Sequence, residues 1–142
     1  MIEEDVWFTA NGEEDERPMV FRGRQNVPSG IVESDYPTLM SIVWPYEAAN
    51  ESRMPDEETN EAQIELEDAI DPLDSPGVSF LMLVVTGNGR KEWHFYVSDA
   101  EEWMERLNGL LAGHQVFPIE IESSHESDWA LYHGFISGVG GI

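Results

Sequence analysis

Residues 78–86 (Val-Ser-Phe-Leu-Met-Leu-Val-Val-Thr) form the most apolar run of the chain and carry no charge. The run is too short for most helices, so it reads as a strand buried on both faces, Phe80, Met82 and Val84 alternating with Leu81, Leu83 and Val85. Gly87-Asn88-Gly89 follows it. Asn-Gly supplies the positive φ angles of a tight hairpin, so the chain should return at once through residues 90–97 (Arg-Lys-Glu-Trp-His-Phe-Tyr-Val). A strand apolar on both sides needs cover on both faces.

The rest of the chain supplies candidates for that cover. Residues 5–10 and 18–24 alternate, and the acidic stretch 11–16 between them reads as a hairpin loop. Residues 38–47 read as a strand with Pro45 near its end, where a missing N–H is tolerated. A helix is expected over residues 56–71, capped by Asp56 and stopped by Pro72; Ala62, Leu66, Ala69, Ile70 and Leu73 fall within an arc of about 100°, a core-facing stripe. Ser98 and Glu101 have capping-box spacing, and a second helix follows with Ala100, Trp103, Met104, Leu107, Leu110 and Leu111 on one face before Gly113. Residues 116–122 alternate as a last strand. Trp129, Tyr132 and Phe135, spaced by three, suggest a docked helical turn ahead of a fraying Gly-rich end.

From residue 38 onward this order is strand, helix, strand, strand, helix, strand, which makes the expected fold a single α+β domain over residues 1–142. It has a ferredoxin-like βαββαβ core (38–122), an additional N-terminal β-hairpin (5–24) and a tail (123–142). In the usual strand order of that core, the apolar strand 78–86 lies at an edge. A long bare apolar edge is an aggregation hazard, so the N-terminal hairpin is expected to extend or cover the sheet there, a homodimer interface being the alternative.

Charge narrows the partners. Seven Lys+Arg stand against 29 Asp+Glu, a net charge of −22 over 142 residues. With 41% hydrophobic residues, five Trp, six Phe and four Tyr, the chain has material for a core, unlike a disordered acidic tail. A surface so poor in cations repels phosphate backbones and anionic headgroups, which excludes nucleic acid and membranes as direct partners. The chain has no Cys, hence no disulfide and no thiolate chemistry. Its start lacks the pattern of a signal peptide and no apolar run is long enough to span a bilayer, so a cytoplasmic location is expected.

Several segments together resemble a known family. Asp5-Val6-Trp7-Phe8-Thr9, Pro18-Met19-Val20-Phe21-Arg22, Ile42-Val43-Trp44-Pro45-Tyr46, Leu66-Glu67-Asp68-Ala69 and above all residues 86–96 (Thr-Gly-Asn-Gly-Arg-Lys-Glu-Trp-His-Phe-Tyr) are similar to the bacterial domain-of-unknown-function family numbered 695. Pro118-Ile119-Glu120-Ile121 and Asp128-Trp129-Ala130-Leu131-Tyr132 continue the match, so that it covers nearly the whole chain. The resemblance implies the ferredoxin-like fold and a topological similarity to the acidic B-type regulators of ribonuclease E activity. It implies no catalytic residue, and it makes regulation by protein contact the leading analogy.

The first helix holds the main candidate site. Glu57, Glu58, Glu61, Glu65, Glu67, Asp68 and Asp71 are placed opposite its apolar stripe with no cation among them. Like charges four apart, as at Glu57, Glu61 and Glu65, each cost about 0.2–0.5 kcal/mol, and acids near the helix C-terminus oppose its dipole. Folding does not ask for this pattern. The functional reading is a face around Glu57, Glu61, Ile64, Glu65 and Asp68 that binds a basic protein surface, Ile64 being an apolar contact amid the acids. An ordinary solvated face and adaptation to a salty cytoplasm, which also suits a chain with one Lys, are the plainer readings.

The rival is a small-molecule or hydrolytic enzyme with a pocket between sheet and tail near Trp93, His94, Tyr96, Trp129 and His133. The four histidines show no metal-binding spacing, and His114 is explained by the negative end of the second helix. Ser124, His125 and Asp128 supply triad residue types in a segment too short for the relay geometry. Gly87-x-Gly89 leads into a strand and is no nucleotide fingerprint. The expectation is therefore a non-catalytic interaction domain with no metal and no cofactor.

Overall fold

The computed structural model describes residues 7–14, 17–24, 27–28, 30–46 and 56–140. Strands β1 (Trp7–Glu14), β2 (Arg17–Arg24), β3 (Thr38–Pro45), β4 (Ser79–Gly87), β5 (Arg90–Val97) and β6 (Glu120–His125) form one antiparallel sheet in the order β1-β2-β4-β5-β3-β6. The helices are α1 (Glu57–Ile70), α2 (Ala100–Leu111) and α3 (Ala130–Gly140). The fold is mixed α/β, a six-stranded antiparallel sheet with three helices.

Side-chain alternation along the strands assigns the helices to faces. Met40, Ile42, Trp44, Trp93, Phe95 and Val97 pack with Leu66 and Ile70 of α1 and with Trp103 and Leu107 of α2. On the opposite face Leu39, Phe80, Met82 and Tyr96 meet Trp129 and Tyr132, and Phe21 lies 5.1 Å from Phe135 of α3. The expected helical turn at the C-terminus is thus a full helix. Trp129 precedes it with φ +54, and Trp129, Tyr132 and Phe135 all face the sheet.

The apolar strand is internal. Its second neighbour is β2, paired through Met19↔Gly87 to Gly23↔Leu83, so the hairpin extends the sheet on the side where cover was needed. The turn after β4 has Asn88 at φ 50 and Gly89 at φ 87, the two positive angles of a type I′ turn. A side chain on Gly87 would meet the Pro18 carbonyl at 2.6 Å, so the approach of β2 requires glycine there.

Four sequence expectations are corrected. The alternation in β4 changes phase at a bulge between Leu81 and Leu83, and therefore Leu83 and Val85 share a face with Phe80 and Met82 while Leu81 and Val84 face α1 and α2. The ladder of β1 and β2 continues to Glu14↔Arg17, so most of the expected loop is strand. Asp99, accepting from the Glu102 amide, caps α2, and Ser98 instead donates to the Gly77 and Val78 carbonyls. Residues 116–119 are not strand: Pro118 brings no N–H to a ladder, and β6 forms later, over a polar segment whose pairing with β3 no hydrophobic pattern announces.

Gln63 was not expected in the stripe of α1, yet it is fully buried, and neither end of its amide has a partner among the described residues. An unpaired buried amide is costly, so Gln63→Met, similar in length and apolar, is expected to raise stability by about 1 kcal/mol. Urea unfolding of the two proteins measures this. A loss of similar size would show that the amide is satisfied in solution.

Candidate functional site

Helix α1 begins where Asp56 accepts from the Thr59 amide at 2.7 Å, and that hydrogen bond holds the Asp56 carboxyl below its ordinary value. Its buried stripe is Gln63, Leu66 and Ile70. Glu57, Glu61 and Asp68 are exposed on the outside, and Ile64 among them is 47% exposed. Ile64 stands three residues after Glu61 and four before Asp68, so the three side chains adjoin on one face. Among the described residues, Glu57, Glu61 and Asp68 form no ion pair. Glu65 differs: His114 and Gln115, beyond the end of α2, reach it at 3.0 and 3.2 Å, and the His114 hydrogen bond lowers its pKa. His114 therefore answers Glu65 of α1, a partner its position after α2 did not suggest.

Glu67 does not belong to the outer arc where its helical position was read. It lies four residues after Gln63 and three before Ile70, flanking the buried stripe, and turns toward the sheet. Its Oε1 accepts from Arg22 at 3.0 Å and from the indole N–H of Trp93 at 2.9 Å, and Lys91 Nζ lies 3.3 Å away. Burial pushes the Glu67 carboxyl up, but Lys91, the indole N–H and Arg22 outweigh it and leave the pKa lowered. Beside this hub a groove of about 450 Å³ opens between α1 and the sheet, with Asp68, Asp71 and Asp74 on its lining and Trp93 and Phe95 among its apolar residues.

The residues of the rival pocket do not converge. Trp93 faces α1, whereas His94 and Tyr96, one and three residues further along the strand, face α3. Tyr96 and Trp129 stack at 4.5 Å between ring centroids and 6° between planes, both fully buried, so they fill the space that a ligand would need. His133 is exposed and bonds Glu33. Ser124, His125 and Asp128 are all exposed, and neither Ser124 nor Asp128 forms a hydrogen bond with His125.

A different cleft lies between the sheet and α3. It measures about 440 Å³, with Leu83, Val85, Leu131 and Phe135 on its walls and Arg90, Glu92 and His94 at its polar end. His94 Nε2 lies 3.1 Å from Glu92, which Arg90 also bonds. A carboxylate can only accept, so Nε2 carries a proton; Nδ1 lies 2.8 Å from the hydroxyl of Ser41, which donates to it when the imidazole is neutral and accepts from it when the ring is charged. The His94 hydrogen bond holds the Glu92 carboxyl below its ordinary value, with burial opposing and Arg90 assisting. This Ser-His-Glu line was invisible in the sequence because Ser41 and His94 are 53 residues apart and meet only through the β3–β5 register. Chemically it orients an imidazole. Acyl transfer needs more: Ser41 is 6% exposed, and its strand is paired on both sides, which occupies the backbone N–H groups an oxyanion would use.

Among the described residues no group of three or more His, Asp or Glu converges as a metal site, and no helix is long and apolar enough to cross a membrane. These features define a mixed α/β protein built on one antiparallel sheet, with an acid-lined helix outside it. The chain belongs to the Family of unknown function (DUF695), whose model matches residues 5–137. No curated protein and no solved structure matches it.

Proposed function

We propose that this chain is a non-catalytic interaction domain that binds a basic protein surface through the outer face of α1. The observation that carries the reading is Ile64, 47% exposed among Glu57, Glu61 and Asp68, none of which is neutralised by a described cation. An apolar contact ringed by carboxylates suits a partner that presents Lys or Arg around an apolar residue. The strand order β6-β3-β5-β4, with α1 and α2 on one face, supports reading residues 38–122 as a ferredoxin-like core. With it comes the analogy to the acidic B-type regulators of ribonuclease E activity, in a bacterial and cytoplasmic setting; that analogy rests on fold alone.

The test reverses Glu57, Glu61 and Asp68 to Lys and compares captured proteins at low and raised salt. The variant is expected to lose its basic partners and the wild type to lose them as salt screens the face. Reversing both Glu57 and Glu61 keeps a like-charge pair four residues apart and places a cation in the first turn, against the helix dipole, so urea melts of the variant must show intact folding for a loss of capture to count. An unchanged partner set removes the proposal.

A second reading, a small-molecule site, is favoured only by the cleft that ends at His94. Fragments that displace the His94 ring resonances while leaving α1 unmoved would support it against docking.

A further inference from the structure

We propose that the outer edge of β6 is a docking site for an extended protein segment that alternates apolar and cationic residues and adds to the sheet as a further strand. β6 is the last strand in the order, with β3 on one side and no strand among the described residues on the other. A free edge offers a row of N–H and C=O groups to an incoming backbone.

The two faces of that edge differ. Ile121 pairs with Ile42 and so faces the α1 and α2 side, where it borders a groove of about 380 Å³ between α2 and the sheet. Met104, Leu107, Leu111, Phe117 and Ile119 contribute to this groove, and Val116 at its rim is 96% exposed. Glu120 and Glu122 pair with Val43 and Ser41 and project on the opposite face, exposed and without an ion pair among the described residues. A strand has a side-chain period of two, so the residues of an added strand on the Ile121 side fall toward the apolar groove and those between them meet the two carboxylates.

Charge selects the occupant. An antiparallel two-fold pairing of β6 with a second copy keeps each face together and sets Glu120 and Glu122 beside the same acids, which is destabilising. A segment with Lys or Arg at those positions turns the repulsion into attraction. Acids on an edge also guard against aggregation, but that role alone does not call for an open apolar groove beside them. The site is separate from the outer face of α1 and stands whether or not that face binds.

The probe is a capped synthetic peptide, Lys-Val-Arg-Ile-Lys-Val-Arg, titrated into the full chain while backbone amide resonances are followed. Shifts are expected along residues 116–125. Glu120→Lys together with Glu122→Lys should weaken binding about tenfold or more. Replacing the peptide's Val and Ile by Ser should weaken it by at least as much. Of two peptides N-methylated on alternate amides in opposite phase, one should lose binding and the other keep it, because only one phase of amides faces the edge. Equal binding of both methylated peptides, shifts confined to α1, or no binding of the parent peptide would overturn the proposal.

Discussion

Trp129→Ala is expected to lower the stability of the protein by about 3–5 kcal/mol, the usual cost of removing a large aromatic residue from a core. Trp129 is fully buried; its ring stacks on Tyr96 at 4.5 Å and meets the Tyr132 ring edge-on at 6.4 Å. Its indole N–H is shared between the carbonyls of Glu33 and Tyr36, at 3.1 and 3.0 Å, which ties the start of α3 to the segment before β3. Nearby, burial raises the Tyr132 pKa to about 12, so its hydroxyl stays a donor, to the Arg24 carbonyl at 2.7 Å. Against a typical total of about 5–15 kcal/mol the loss is large, and Tm should fall by about 10 °C or more. Trp129→Phe keeps a ring and drops the N–H, so its cost should be nearer 1–2 kcal/mol. Hydrogen exchange locates the damage: faster exchange confined to α3 means local undocking of the helix that walls the His94 cleft, and faster exchange throughout means global loss. An Ala variant within about 0.5 kcal/mol of wild type would show that Trp129 does not anchor α3.

The fold is legible in the sequence where burial sets the pattern. The helix after Asp56, the hairpin at Asn88-Gly89 and the hairpin laid against the apolar strand follow from capping, turn chemistry and the need to cover a strand apolar on both faces. It is not legible where a long-range pairing decides. β6 is mostly polar, and only its ladder with β3 makes it a strand. The Ser41–His94 contact depends on cross-strand register, which composition does not carry. Trp93 and His94 are neighbours on β5 and so face opposite sides of the sheet, which keeps them from sharing a pocket. Helical position relative to the apolar residues puts Glu67 on the outer arc; the buried stripe also includes the polar Gln63, which shifts the buried side toward Glu67. Glu57, Glu61 and Asp68 are exposed on the outer side, where helical periodicity alone puts them.

Glu67→Ala is expected to cost about 3–5 kcal/mol at neutral pH, more than any single change on the outer face of α1, because it strands a cation in a nearly closed site. Lys91 is 9% exposed, its ammonium lies 5.4 Å from the centre of the Trp93 ring, and Glu67 is the only carboxylate that pairs with it among the described residues. Glu67→Gln retains an acceptor for the Trp93 indole and loses the charge, so a smaller loss is expected. The pH dependence distinguishes charge from packing. The Glu67 carboxyl is held below its ordinary value of 4.5, so its contribution is complete above that value and is lost as pH falls through the lowered folded pKa. The stability gap between wild type and Glu67→Gln should therefore be level near neutrality and narrow once pH drops below about 4.5. Glu92 and Glu65 titrate alike in both proteins and cancel in the difference. Urea melts across this range measure the gap without adding salt; a gap that stays constant into strong acid would assign the role of Glu67 to shape. The same pairings explain the outward charge. Arg22 and Lys91 meet Glu67, Arg24 meets Asp74 and Arg90 meets Glu92, all partly buried, while Arg106 pairs with Glu102 on α2. Among the described residues, the cations are held in these pairs and none reaches Glu57, Glu61 or Asp68, so the pairings that seat α1 on the sheet also leave its outer acids without a described counter-charge.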